Sequence, residues 1–247
     1  MAKFSKRLDK VLVERGFMAS RERAQGFILS GRVLVDGRRV TKSGQMVSAG
    51  SSIEITGEDI PFVSRGGIKL DHALKAFDLK VEGLTAMDVG ASTGGFTDCL
   101  LQHGAVKVYA VDVGYGQLAW SLRQDSRVVV LERQNIRNLP PELVGEKIQV
   151  ATMDTSFISL KLVIPSVLPF LDDEALVVAL IKPQFEAGRE AVGKGGVVKD
   201  SQVHQEVCES IETFCTGLGL GILGITPSPL LGPKGNREFL LACRLSP

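Results

Sequence analysis

Apolar positions in the first sixty residues recur at helical spacing and then at strand spacing. Leu8, Val11 and Leu12 mark one face of a helix that stops at Gly16. Ser20 is a good N-cap for a second helix that turns Ala24, Phe27 and Ile28 inward and ends at Gly31. In Val33-Leu34-Val35-Asp36-Gly37-Arg38-Arg39-Val40, Asp-Gly lies between two strand-like runs, which predicts a hairpin. Residues 52–55 add one more strand. Further on, Leu70, Ala73, Leu74 and Phe77 form the stripe of a helix over about 68–77, with Lys69 off the stripe in its first turn. A cation at a helix N-terminus opposes the macrodipole and invites a functional reason.

Beyond that helix, short apolar runs alternate with helical patterns. Strands are predicted at 86–89, 108–111, 128–131, 148–153 and 175–181, with two closing strands at 222–225 and 238–243. Helices are predicted near 117–123, 160–171 and 201–214. Near-continuous apolar strands between helices imply an α/β fold, a doubly wound and mostly parallel sheet covered on both faces. Gly57, Glu58, Asp59, Pro61, Gly66 and Gly67 break all periodicity, which makes this stretch the linker to the small α+β unit in front.

Composition narrows the class. The chain has 247 residues, 44% hydrophobic and 23% charged, ordinary values for a folded protein with a sizeable core. The net charge of +1 hides an asymmetry: residues 1–60 carry 11 Lys and Arg against 7 Asp and Glu, so the positive charge is at the N-terminal end. The longest uninterrupted apolar run, 175–181, is far too short for a membrane span. With no signal-like segment visible, the expected location is cytoplasmic, away from membranes. Cys99, Cys208, Cys215 and Cys243 show no C-x-x-C pair and no histidine at metal spacing, so they read as reduced core thiols and no metal is expected.

The densest chemical signal is Ala86-Met87-Asp88-Val89-Gly90-Ala91-Ser92-Thr93-Gly94-Gly95-Phe96, a strand, a glycine turn and a helix start in one run. Gly90, Gly94 and Gly95 would let the backbone approach a ligand. Asp112, ending the next strand, stands where a Rossmann-like unit places a carboxylate on a ribose diol. Asp88 just before the turn disfavours a pyrophosphate and suits a cationic ligand such as S-adenosylmethionine. Asp154 and Lys182 end two further strands and would converge on the same ligand, since sites in such sheets lie beyond the strands' carboxyl ends. Two motif-like runs are decoys. Gly188 to Lys194 resembles a P-loop but has Gly195 where Ser or Thr is required, and Gly219-x-Gly221-x-x-Gly224 follows a helix and enters a strand.

Two resemblances bear on function. Arg7-Leu8-Asp9-Lys10-Val11-Leu12, Ser20-Arg21, Ala24, Ile28, Gly31 to Gly37 and Val40 resemble an S4 domain, a small RNA-binding module. Its cations Lys6, Arg7, Lys10, Arg21, Arg23, Arg38, Arg39 and Lys42, extended by Arg65, suit a phosphate backbone. The remainder resembles the FtsJ-type 2′-O-ribose methyltransferases, whose Lys-Asp-Lys-Glu tetrad matches Lys69, Asp154, Lys182 and Glu238. The pairing of both modules resembles the TlyA family of ribosomal RNA cytidine 2′-O-methyltransferases, sometimes labelled haemolysins.

That resemblance implies a Rossmann-like class I methyltransferase with a seven-stranded sheet over 68–247, an S4-like domain over 1–58 and a linker over 59–67. It implies S-adenosylmethionine as cofactor, held by Asp88, Gly90, Ser92, Gly94, Gly95, Phe96 and Asp112, with Asn135 and Ile136 beside the adenine. The partner would be ribosomal RNA or a ribosomal subunit. Lys182 is the candidate base, or alternatively a charged group that stabilises the developing alkoxide. Competing readings are a non-catalytic RNA-binding assembly factor, which the intact tetrad opposes, and a membrane-active haemolysin, which the lack of a span and of a strongly basic amphipathic helix opposes.

Overall fold

A computed structural model describes residues 5–18, 20–29, 31–56 and 60–246. Gly57, Glu58 and Asp59 of the expected linker lie outside the described residues. The chain divides into two units, Met1–Asp59 and Ile60–Pro247.

The first unit comprises β1 (Ser5–Arg7), α1 (Leu8–Glu14), α2 (Arg21–Leu29), β2 (Val33–Val35), β3 (Arg38–Val40), β4 (Met46–Ser48) and β5 (Ile53–Ile55). The helical stripes behave as their spacing predicts: Leu8, Val11 and Leu12 from α1 pack with Ala24, Phe27 and Ile28 from α2 over Val33, Val35, Val40 and Ile53. Ser20 caps α2, its Oγ accepting from Arg23 N at 3.2 Å. The hairpin turns through Asp36 and Gly37, both at positive φ (49° and 74°), as a two-residue turn matched to strand twist requires. The strands form a three-stranded sheet of order β3-β2-β5 and a separate pair, β1 with β4. This second pair is absent from the sequence pattern because Ser5–Arg7 is polar throughout and its pairing is a backbone matter.

The second unit runs α3 (Gly66–Ala76), β6 (Thr85–Val89), α4 (Gly95–Gln102), β7 (Lys107–Asp112), α5 (Trp120–Arg123), β8 (Val128–Glu132), β9 (Ile148–Met153), α6 (Leu160–Val167), β10 (Leu171–Ile181), α7 (Pro183–Glu186), α8 (Ser201–Gly217), β11 (Leu220–Pro227) and β12 (Phe239–Leu245). Seven strands join in the order β11-β12-β10-β9-β6-β7-β8. β6 to β10 are parallel, while β12 is antiparallel to both β10 and β11.

Strand β10 shows why such runs read as continuously apolar. Val177, Ala179 and Ile181 enter one core with α6 and α8, while Leu176, Val178 and Leu180 enter the other with α3 and α4. Burial on both faces leaves no polar side to alternate with. The chain leaves β6 toward β7 and β8, then returns to β9 on β6's other flank. That reversal opens a crevice at the carboxyl ends of β6 and β9, the place where open α/β sheets hold ligands. No helix among the described residues is long and apolar enough to cross a membrane.

Candidate active site

The floor of the crevice is the glycine turn between β6 and α4. Gly90 sits at φ +84°, and a Cβ there would come within 2.7 Å of the Asp154 carbonyl oxygen. Glycine is therefore required for β6 and β9 to close on each other. Gly94 and Gly95 are likewise set by protein neighbours: side chains there would strike Leu122 and Leu118, or Ser64 and the backbone of Gly67. Gly95 still borders the cavity, whereas Gly94 does not. Asp112 is fixed by two backbone donors, Ser92 N at 2.7 Å and Gly114 N at 2.6 Å.

Asp88 corrects the sequence expectation. It is fully buried beneath the turn, accepting from Thr97 Oγ1 at 2.7 Å and Thr152 Oγ1 at 3.2 Å, and it does not border the cavity. Burial pushes its carboxyl up to about 7 against the Thr97 hydrogen bond, with the Asp154 charge adding to the rise. A strand-terminal acid can face the ligand or the packing below it, and here the two threonine hydroxyls draw it down.

Four charged groups from distant parts of the chain meet above the turn. Lys69 of α3 donates to Glu238, just before β12, at 2.5 Å. Lys182, following β10, lies 2.6 Å from Asp154, following β9, and donates to Ser156 Oγ at 2.9 Å. All four border one cavity of about 500 Å³ together with Gly90, Ser92 and Phe96. Lys69 is buried, so its awkward place in the first turn is answered by Glu238. Two cations and two anions balance in a setting where unpaired charge would be costly. Three buried oxygens among these strand ends have no partner: Thr155 Oγ1, Gln184 Oε1 and Glu238 Oε1.

Other expected positions stand apart, and Asp112 itself does not border the cavity, although Ser92, whose backbone N–H it accepts from, does. Asn135 and Ile136 do not border the cavity: the Asn135 side chain accepts from Arg137 N at 3.1 Å, and Ile136 packs in the core beside Met87 and Val89. Among the N-terminal cations, Lys6 pairs with Glu14 at 2.7 Å. Arg7 and Arg21 both grip the buried Asp9, at 2.9 and 3.0 Å. Lys10, Arg38, Arg39 and Lys42 are exposed with no ion-pair partner among the described residues, and Arg23 is half-buried. Arg65 is exposed at the cavity rim.

Sequence reasoning passed over several groups. Ser156 lies two residues after Asp154 in the sequence, and only the fold brings it to Lys182. Leu231, Gly232 and Lys234 form a wall whose only sequence signal is the Gly-Pro-Lys-Gly run. Cys99 of α4 and His103, just past its end, do come together with Asp71, their ligand atoms within 4.8 Å of one another. Asp71 is already engaged by His103 at 2.9 Å and Lys75 at 2.7 Å, and burial pushes the Cys99 thiol up, so the cluster is suited to hydrogen bonding rather than to a cation.

A doubly wound seven-stranded sheet with its cavity at the β6/β9 reversal is the architecture of the Rossmann-like class I methyltransferases. The FtsJ-like methyltransferase family profile matches residues 62–245, and the S4 domain profile matches residues 6–53. The chain belongs to the FtsJ-like methyltransferase family, in the S4-bearing branch that includes TlyA. It is 46% identical over 239 residues to the 16S/23S rRNA (cytidine-2′-O)-methyltransferase TlyA of Mycobacterium tuberculosis, covering 96% of this chain and 89% of that protein. It is 41% identical over 235 residues to Hemolysin A of Brachyspira hyodysenteriae, covering 95% and 98%. A solved structure described as "Putative hemolysin from Streptococcus thermophilus" superposes with a TM-score of 0.77 at 42% identity, covering 99% of this chain and 90% of that one.

Proposed function

We propose that the chain transfers a methyl group from S-adenosylmethionine to the 2′-hydroxyl of a cytidine ribose in ribosomal RNA, with the N-terminal unit docking the RNA in the cytoplasm. The observation that carries this reading is the convergence of the Lys69–Glu238 and Lys182–Asp154 pairs in one cavity over the glycine turn. The cavity is within the usual range for small-ligand sites. The TlyA relative's name supports the substrate, and the S4 match supports RNA docking.

The residues present fit the cofactor. Two backbone N–H groups fix the Asp112 carboxylate, and each oxygen keeps a lone pair for a ribose hydroxyl. Ser92 and Phe96 border the cavity beside Gly90. When bound, S-adenosylmethionine supplies a methyl group already activated on a sulfonium.

The protein must then hold the ribose oxygen in line and manage its proton. Lys182 has three N–H donors as an ammonium, of which Asp154 and Ser156 engage two. The third donor stabilises the oxygen as negative charge develops. Transfer would break the sulfonium carbon–sulfur bond as the carbon–oxygen bond forms, and the hydroxyl proton would leave to solvent. Glu238 Oε1, buried and without a partner, is the acceptor a second substrate hydroxyl would satisfy. On the N-terminal unit, Lys10, Arg38, Arg39 and Lys42 offer cations to RNA phosphates, a mode that reads shape rather than base sequence.

The test is methyl transfer from labelled S-adenosylmethionine to purified small and large ribosomal subunits, followed by mapping of the label. Label on a cytidine 2′-oxygen is the expected result and identifies the subunit. Cofactor binding without label on either subunit would overturn the ribosomal substrate.

A further inference from the structure

The segments that follow β9 and β10 carry Asp154 and Lys182, and they are joined by more than that ion pair. Lys182 also reaches Ser156 at 2.9 Å, and the Phe157 and Phe185 rings lie 5.1 Å apart. Glu186 follows on the same turn and does not border the cavity. Its Oε2 accepts from Ser159 Oγ at 2.6 Å and its Oε1 from Leu160 N at 2.7 Å. Ser159 is the N-cap of α6, its Oγ also accepting from Lys161 N at 3.1 Å. One carboxylate thus ties the end of α7 to the start of α6.

We propose that Glu186 is a positioning residue for methyl transfer, a clamp that sets Lys182 against Asp154 by fixing the segment after each strand to the other. The proposal rests on the reading of the cavity as the methyl-transfer site. The tie is short on both sides. Phe185 N donates to Lys182 O at 2.8 Å, so the turn ending in Glu186 begins at Lys182 itself. On the other side, only the residues from Thr155 to Ile158 separate Asp154 from the clamp.

Those residues need holding. Phe157 has φ +63°, a left-handed conformation costly for a bulky side chain, and it is 91% exposed, so packing around its ring cannot impose that backbone. The conformation must be fixed from its ends, by Asp154 N on Val89 O at 3.0 Å and by Glu186 at Ser159 and Leu160. Burial raises the proton affinity of Glu186 against its bonds to Ser159 and Leu160 and the charge of Lys161. Lys161 does not pair with it directly, since its Nζ donates to Ser210 at 2.7 Å. The carboxylate is therefore committed to the clamp.

The experiment compares Glu186→Ala, Glu186→Gln and Ser159→Ala with the unaltered full-length chain, each normalised to folded, cofactor-binding protein. Single-turnover methyl transfer and cofactor and RNA affinities are measured, with hydrogen exchange of segments 154–160 and 182–187. A misplacement near 1 Å can cost on the order of 100-fold in rate. Glu186→Ala is expected to lose about 10- to 100-fold in single-turnover rate with both affinities within about threefold, and to exchange faster in both segments. Glutamine keeps an acceptor for Leu160 N and should restore the rate to within about threefold; Ser159→Ala, which loses one bond of two, should fall between.

Unchanged single-turnover rate in Glu186→Ala, or faster exchange confined to 182–187, would overturn the clamp. A role limited to stability would lower the yield of folded protein and leave the normalised rate alone. If the unaltered chain transfers no methyl group, the functional reading fails, and the exchange data still decide whether the two segments are coupled.

Discussion

Asp9 and Glu238 are both carboxylates withdrawn from water, one in each unit, and they end in opposite states. Asp9 is fully buried and accepts from Arg7 twice, from Arg21, from Gln25 and from the Lys10 backbone N–H, at 2.9 to 3.1 Å. The Arg7 hydrogen bond, outweighing desolvation, holds it well below the usual carboxylate range. Glu238 has Lys69 on one oxygen and nothing on the other. The first carboxylate is saturated, and its arginines serve the fold before they serve any ligand. The second keeps an open acceptor in a cavity, a state that costs stability unless something binds there. Saturation marks structure and incompleteness marks chemistry. Counting cations along the sequence cannot tell Arg7 and Arg21 from Arg38 and Arg39 in this respect.

The strongest way to break the contrast is in the cavity. Lys182→Ala should lower the methyl-transfer rate by on the order of 10²- to 10³-fold, the usual effect of losing one donor to a developing oxyanion. Calorimetry should find cofactor affinity within a few-fold of the unaltered chain, and a variant that keeps full activity would remove Lys182 from the mechanism.

A smaller effect is expected at the saturated site. Asp9→Ala should destabilise the N-terminal unit by about 1.5–3 kcal/mol, the scale of hydrogen bonds to a charged group. The cost stays moderate because Arg7 and Arg21 are about half exposed and can regain water. Denaturant melts followed by N-terminal amide signals check this, and the cofactor affinity should not move. Since the carboxyl is held low in the folded state, its contribution is complete above about pH 4 and fades as the pH falls below that.

Asp88 sharpens the contrast with the opposite sign. Its folded-state carboxyl is raised to about 7, so the unfolded chain releases that proton near pH 4 while the folded chain keeps it. Stability of the second unit should therefore drop as the pH climbs from about 4 toward 7, by roughly 2 kcal/mol between pH 5 and 7. Thermal melts across that window should flatten in Asp88→Asn, and an unaltered slope would reject the assignment.

Legibility in the sequence followed the kind of force at work. β6, β7, β9 and β10 are visible because both faces are buried, and α1 because Leu8, Val11 and Leu12 share one face. The β1–β4 pair was hidden because backbone bonds alone specify it. At the site, the glycine turn and the strand-end positions of Asp154 and Lys182 follow from pattern. The Lys69–Glu238 contact joins residues 169 apart, which no local period can report, and only the family motif suggested it. The pattern points Asp88 and Gly94 at the ligand because sequence does not say which way a strand-end acid points or that Leu118 and Leu122 fill the space beside a glycine.

The placement of β12 also bears on synthesis at the ribosome. This strand fills the gap between β10 and β11, yet it is made after both. All five strands of the first unit's two sheets precede residue 56, so that unit can close early, in keeping with the habit of domains to fold in order of emergence. The larger sheet must wait with an interior slot open. Through that interval Lys69 has no counter-charge, and the cavity acquires its balance of charge only when the segment bearing Glu238 docks.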